Sequence, residues 1–364
     1  MEFVERLLAV LRGEAPDKVP FAPYDNLVPR GHLERRLRNL GMGLCARRSA
    51  IWRETPNVAV EHTTERDLTR IHYHTPVGSV SAAWTTHHDR LSDSGSVQVE
   101  WMIKDVKDFE PVIFMIDDTL YHLEPPVETN VARDLGDDGI VRGAGLVPPY
   151  DIAEGYFGLF NWIYAQQDYP DEFARLLAAL DSAQERLFPL VVESPSEFIA
   201  FGSVSGNYSP ETYRKYVLPF YQEYVPRLKA HGKITALHAH NSNLQMYKEL
   251  IAETGVDVVE AFTPPPVGDL SLAEARAAWG PNVVIWVNFP ETIFYYGEDR
   301  VRDYTRELLE SDSPGNRLVI GFTEMGLFGI HDEVTERAFR AGFLAVAEVI
   351  NEYGTYPMRT LSRR

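Results

Sequence analysis

The chain has 364 residues, 45% of them hydrophobic and 24% charged, a composition that supports a large core and excludes a disordered chain. With 53 acidic against 35 basic residues the formal net charge is −18, and no Lys/Arg run offers the basic footprint a nucleic-acid partner requires. The single cysteine, Cys45, excludes an intrachain disulfide framework and any Cys-rich metal cluster.

Glu2 and Glu5 interrupt the opening segment, so no secretory leader is expected there. No stretch of about 18 uncharged apolar residues is present, so no membrane span is expected and a cytoplasmic location follows. Short β-rich runs are predicted at 19–24, 58–62, 140–146, 198–204, 234–240, 256–262, 283–288 and 318–323, each followed by amphipathic helix or turn signals. Between the first two, residues 30–48 read as one amphipathic helix with a solvated basic face. After the second, residues 70–102 alternate polar and apolar positions around Thr75-Pro76-Val77-Gly78, the pattern of an antiparallel excursion. His72 and His74 share one face of that excursion and read as solvated residues of a two-sided strand.

Further along, Ser209-Pro210 supplies an N-cap and a first-turn proline for a helix carrying Tyr213, Tyr216, Val217, Phe220, Tyr221, Tyr224 and Leu228 at 3/4 spacing. That stripe reads as core packing, and Pro219 should kink the helix. Ser271 and Glu274 have the spacing of a capping box. Eight strand–helix units without a linker or repeat predict an α/β fold, a (β/α)8 barrel filling residues 1–364 as one domain, with 70–102 inserted. An open dinucleotide-binding sheet is disfavoured because no Gly-rich fingerprint follows the first strand.

In a barrel the strand C-termini carry the chemistry. The fifth strand ends Leu237-His238-Ala239-His240-Asn241, which puts both imidazoles on one face, with Ala236 leaving room beside them. The sixth ends in Glu260, the seventh in Asn288, and Glu324 follows the eighth. Imidazoles and carboxylates converging there form a candidate zinc site, and a metal-free acid–base pair is the other reading of the same residues. Glu260 and Asn288 are the candidate catalytic groups. Ser203, Ser205 and Asn207 after the fourth strand, with Tyr24 and Asn26 after the first, are the candidate substrate contacts.

The segment Glu5-Arg6-Leu7-Leu8-Ala9-Val10-Leu11-Arg12-Gly13-Glu14-Ala15-Pro16-Asp17-Lys18-Val19-Pro20 resembles the opening signature of uroporphyrinogen-decarboxylase-like proteins. Thr75-Pro76-Val77-Gly78, Ser209-Pro210-Glu211 and Leu218-Pro219-Phe220 strengthen the resemblance, which covers essentially the whole chain. It implies a (β/α)8 barrel. The arginine-rich motif by which true decarboxylases hold a tetrapyrrole is missing from Phe21-Ala22-Pro23-Tyr24-Asp25-Asn26-Leu27-Val28-Pro29-Arg30, and Gly202 stands near the family's aspartate after the fourth strand.

The resemblance is therefore closer to the cobalamin-dependent methyltransferase branch, where zinc sits on a His-x-Cys after the fifth strand and a Cys after the eighth. The matching positions are His238, His240 and Glu324, with Glu260 as a fourth ligand or the partner of one. Imidazole and carboxylate in place of thiolate make a harder site. The resemblance implies zinc-dependent methyl transfer between a small-molecule substrate and the corrinoid of a separate partner protein, since no Asp-x-His-x-x-Gly corrinoid motif occurs in the chain. The alternative is a metal-assisted decarboxylase or lyase acting on a small organic acid. A homo-oligomer is compatible with the sequence.

Overall fold

The computed structural model describes residues 1–86, 96–158, 161–204, 206–240, 243–312, 317–324 and 332–358. In chain order its strands are β1 (Leu44–Arg47), β2 (Ile51–Glu54), β3 (Ala59–Glu65), β4 (Leu68–Thr75), β5 (Gly78–Thr86), β6 (Ser96–Glu100) and β7 (Leu120–Leu123). Then come β8 (Gly139–Arg142), β9 (Phe198–Ser203), β10 (Ile234–His238), β11 (Val258–Phe262), β12 (Val284–Asn288) and β13 (Leu318–Gly321). The chain divides into two compact units, one of Met1–Ser49, Pro125–Gly145 and Pro195–Arg364, the other of Ala50–Glu124 and Leu146–Ser194.

The first unit holds the parallel strands. A five-stranded sheet runs β13-β12-β11-β10-β9, and β1 pairs with β8. Single parallel bridges carry the ring onward: Gly143 to Ile199 joins β8 to β9, and Phe21 bridges to Ile320 on one side and Met42 on the other. Backbone bonds from Ala22 N to Ile320 O (2.8 Å) and from Cys45 N to Pro23 O (3.0 Å) complete the pairing. Eight parallel segments thus close into a (β/α)8 barrel. The strands are continuous apolar runs because both of their faces are covered: all five residues of β11 and of β12 are buried, as are all four of β13. Trp286 fills the interior, stacked on Phe198 and donating its indole N–H to the Ala22 carbonyl at 3.2 Å. Gly321 is required where these segments meet, since a Cβ there would stand 2.2 Å from the Ala22 oxygen.

The helices follow their sequence signals. The Ser209 side chain accepts a bond from Thr212 N, and Ser271 with Glu274 forms a complete capping box. A π-helical turn at Tyr213–Val217 precedes Leu218–Ala230, so the irregularity falls just before Pro219, which has no N–H to continue the ladder. The aromatic stripe of that helix is core: Tyr213, Val217, Phe220, Tyr221, Tyr224 and Leu228 are buried, and Tyr216 is half-buried.

Three expectations are corrected. The second barrel strand is β1, not 58–62, and the helix predicted at 30–48 is only His32–Asn39, ending before Gly41. A three-residue apolar run, Leu44-Cys45-Ala46, is too short to show a period, so only its pairing with β8 reveals it as strand. Residues 58–62 do extend, but as the exposed edge of the antiparallel sheet β3-β4-β5-β6 in the second unit. The excursion therefore begins about eleven residues before the predicted 70–102 boundary, with Ala59 pairing His74. A further antiparallel pair, β2 with β7, belongs to the same unit. Among the described residues no helix is long and apolar enough to cross a membrane.

Candidate functional site at the barrel strand ends

The site is assembled from the C-terminal ends of neighbouring strands. His238 closes β10, where it lies in register with Ser203 of β9 and Glu260 of β11, and the β9 pairing slips between Ala236 and His238. Glu260 is fully buried. Directly after it Ala261 adopts φ 57°, and the β11–β12 register is irregular between Val259 and Phe262. A left-handed alanine costs about 1–3 kcal/mol, a strain that the surrounding barrel sustains at the residue following the buried carboxylate.

Three contacts define the electrostatics. Glu260 Oε1 pairs closely with the Arg142 guanidinium from the end of β8, and Arg142 also donates to the Tyr24 hydroxyl at 3.2 Å. The same Glu260 oxygen stands 3.3 Å from His238 Nδ1. On the opposite side of the ring, His238 Nε2 is 3.1 Å from Glu324 Oε1. Burial is the largest influence on His238 and pushes its pKa below the ordinary value; Glu324 opposes this, while His240 and Arg142 add to it. His238 is therefore neutral at neutral pH, with one N–H to share between two carboxylates. One of its nitrogens must present a lone pair to a carboxylate oxygen, an arrangement that a proton or a cation between them would relieve. One buried oxygen here, Glu260 Oε2, has no hydrogen-bond partner among the described residues.

The remaining expected residues fall into three groups. His240 stands at the exposed rim, its ring centroid 4.9 Å from that of His238. Asn288 is buried and both ends of its amide are engaged: Nδ2 donates to Thr263 Oγ1 at 3.0 Å, and Oδ1 accepts from Thr323 N at 2.9 Å. It braces the backbone that carries Glu324. Tyr24 is buried under two guanidiniums, Arg47 at 4.3 Å and Arg142 at 5.4 Å from its ring centroid, and burial pushes its phenol up to about 12. Asn26 is exposed and accepts from Arg47 at 3.3 Å. Ser203 is half-buried beside His238, Asn207 is exposed, and Ser205 lies outside the described residues.

Sequence reasoning missed Arg142 and Arg47. Each closes a short apolar run (Ile140-Val141-Arg142 and Leu44-Cys45-Ala46-Arg47), but Arg142 falls inside the predicted 140–146 run and Leu44-Cys45-Ala46 is too short to read as a strand. Glu291 was missed as well; burial raises its carboxyl pKa, and the charge of Glu324 raises it further. Cys45 is buried and its thiol is pushed up to about 12, so it supplies no thiolate at neutral pH.

The donor set suits zinc in chemistry: imidazole and carboxylate face each other, and a second carboxylate orients the far nitrogen of the same ring. Among the described residues, however, no three His, Cys, Asp or Glu side chains are gathered closely enough to hold a metal ion. His238 and Glu324 are the pair already facing one another.

With this geometry in view, three likenesses fall into place. A profile of the family described as uroporphyrinogen decarboxylase (URO-D) matches residues 152–323. A uroporphyrinogen decarboxylase from Thioalkalivibrio sulfidiphilus (strain HL-EbGR7) is 25% identical over 152 residues, 41% of this chain; the match spans 42% of that relative's length. A solved methyltransferase from Methanosarcina mazei shares the fold, with a TM-score of 0.55 and 14% identity, covering 97% of this chain and 99% of its own. The chain is thus similar to uroporphyrinogen decarboxylases over residues 152–323, and its fold is an α/β barrel shared with the methyltransferase.

Proposed function

We propose that the barrel mouth carries out methyl transfer between a small-molecule substrate and the corrinoid of a separate partner protein, in the cytoplasm. The observation that carries this reading is His238, held neutral between Glu260 and Glu324 at the strand ends. A neutral imidazole whose far nitrogen is oriented by a carboxylate is the state a metal ligand needs. In this reading His238, His240 and Glu324 would hold zinc, with Glu260 orienting His238. When bound, zinc would serve as a Lewis acid toward the substrate's heteroatom. Arg142 pairs with the buried Glu260, and Asn288 holds the Thr323 backbone so that Glu324 faces His238. Ser203 and Asn207 would contact the substrate at the rim. Support for methyl transfer over other barrel chemistries comes from the whole-chain fold likeness to a methyltransferase.

The test is to incubate purified protein with methylcobalamin, or with cob(I)alamin and candidate methyl ethers and thiols, while following the cobalt spectrum. A methyl-dependent spectral change that disappears in His238→Ala supports the proposal. No change across a broad donor and acceptor panel would overturn it.

The decarboxylase or lyase reading is favoured by one observation, the two guanidiniums of Arg47 and Arg142 beside Tyr24. Arg142 is already paired with Glu260, which leaves Arg47 as the carboxylate partner for a small organic acid. Carbon dioxide released from such an acid, in the absence of any corrinoid, identifies this alternative.

A further inference from the structure

The second unit contains a cavity of about 220 Å³ that shares no residue with the strand-end site. Its floor is buried and apolar, formed by Val112 and Ile116 with Thr119 beside them, and Met102 and Met115 line it half-buried. The Thr119 hydroxyl is turned away from the space, donating to the Met115 carbonyl at 2.8 Å. Thr55, Tyr73 and Tyr156 complete the wall, and Arg53 and Glu54 stand exposed at the rim.

The two rim charges differ in availability. Glu54 is engaged with His122 at 2.9 Å. Among the described residues no carboxylate pairs with the Arg53 guanidinium. Arg53 lies directly opposite Tyr121 in the β2–β7 pair, so their side chains share a face. Its charge also reaches three phenols: burial raises Tyr73, Tyr121 and Tyr156, and in each case Arg53 opposes the rise. The hydroxyls therefore stay protonated and can donate hydrogen bonds. One uncompensated planar cation, neutral O–H donors and an adaptable thioether-lined floor together describe a receptor for an anion with an apolar body.

We propose that this cavity binds a small monocarboxylate, its carboxylate held by Arg53 with the Tyr73 and Tyr156 hydroxyls and its apolar body between Met102, Val112, Met115 and Ile116. The volume lies below the range of about 300–1,000 Å³ usual for drug-sized ligands, which restricts the occupant to roughly the size of benzoate. The site is independent of the chemistry at the barrel mouth.

Benzoate is the probe, titrated into the full-length protein by isothermal titration calorimetry, with benzyl alcohol as its uncharged counterpart. Saturable one-to-one binding of benzoate, with much weaker binding of the alcohol, is expected. Arg53→Gln should weaken benzoate about tenfold or more, and Arg53→Lys, which keeps the charge and loses the fork, should fall between. Met115→Trp should block the cavity, and His238→Ala should bind benzoate as the wild type does. Circular dichroism of each variant confirms folding; should Met115→Trp unfold, the two Arg53 variants decide. The proposal is overturned by absent saturation, by equal affinity for the alcohol, by unchanged affinity in Arg53→Gln, by binding that survives in a folded Met115→Trp, or by binding lost in His238→Ala.

Discussion

Two His-x-His pairs sit in this molecule on two kinds of strand, and they show how little the spacing itself decides. His72 and His74 lie on β4 of the antiparallel sheet, rings parallel and 6.3 Å apart, touching Thr63 and Ser79 hydroxyls and, at 3.6 Å, the exposed Glu61. His238 ends β10 of the barrel and His240 follows two residues on, and there the first imidazole stands between two carboxylates, one of them fully buried and paired with Arg142. Period-2 alternation places both pairs on one face of a strand. Exposed contacts of the first kind are worth little because water competes for every group. Burial in the second turns the same residue type into a group with a shifted pKa and a fixed orientation. Functional chemistry follows the environment of the pair.

The sharpest way to break this comparison is to unbalance the buried charges. Arg142→Met leaves Glu260 buried without its counter-charge and should cost about 3–5 kcal/mol in urea unfolding, whereas Glu61→Gln on the antiparallel sheet should stay within about 0.5 kcal/mol. A loss below about 1 kcal/mol in Arg142→Met would mean that Glu260 is not held there as an anion.

His238→Ala should lower metal content and methyl-transfer rate by about 100-fold with the fold intact, while His72→Ala leaves both unchanged. Elemental analysis of the purified variants decides it: full zinc occupancy in His238→Ala excludes that residue as a ligand.

Asn288→Ala removes two buried hydrogen bonds and should destabilise by about 2 kcal/mol. If Asn288 acts by bracing Thr323, the variant should also lose part of the activity, and the pH profile of what remains should keep its shape. A profile shifted along the pH axis would instead give Asn288 a direct part in proton handling.

The smallest effect is the pH dependence of stability. The folded state holds the pKa of His238 below its ordinary value, so above about 6.5 both folded and unfolded forms are neutral and nothing is lost. As the pH falls below that value the unfolded chain takes up a proton first, and stability declines until the folded pKa is passed. Unfolding measured at pH 7.5 and 5.5 should therefore show a larger drop in the wild type than in His238→Asn. Equal drops would place the pKa of His238 at its unfolded value. Replacing His72 should leave the pH response as it is.

Much of the barrel was legible in the chain itself. Seven of its eight segments show as short apolar runs, because a strand covered on both faces needs continuous Val, Ile, Leu and Phe. Ser209, Ser271 and Glu274 marked helix starts because capping is local chemistry, satisfied within one turn. His238, Glu260 and Glu324 could be picked out by standing at strand ends, and Tyr24 by following the first strand. Other features depend on partners remote in sequence. β1 is recognisable only by its pairing with β8, and the run at 58–62 only by its lying against β4. The pairing of Arg142 with Glu260 joins residues 118 positions apart, and Arg53 among Tyr73, Tyr121 and Tyr156 draws on four separate segments. Local pattern sets which residues are extended, helical or buried, because propensity and periodicity act over a few residues. Which charges face one another, and whether water stands between them, is decided only when distant strand ends are brought together, because desolvation and Coulomb energy depend on three-dimensional distance.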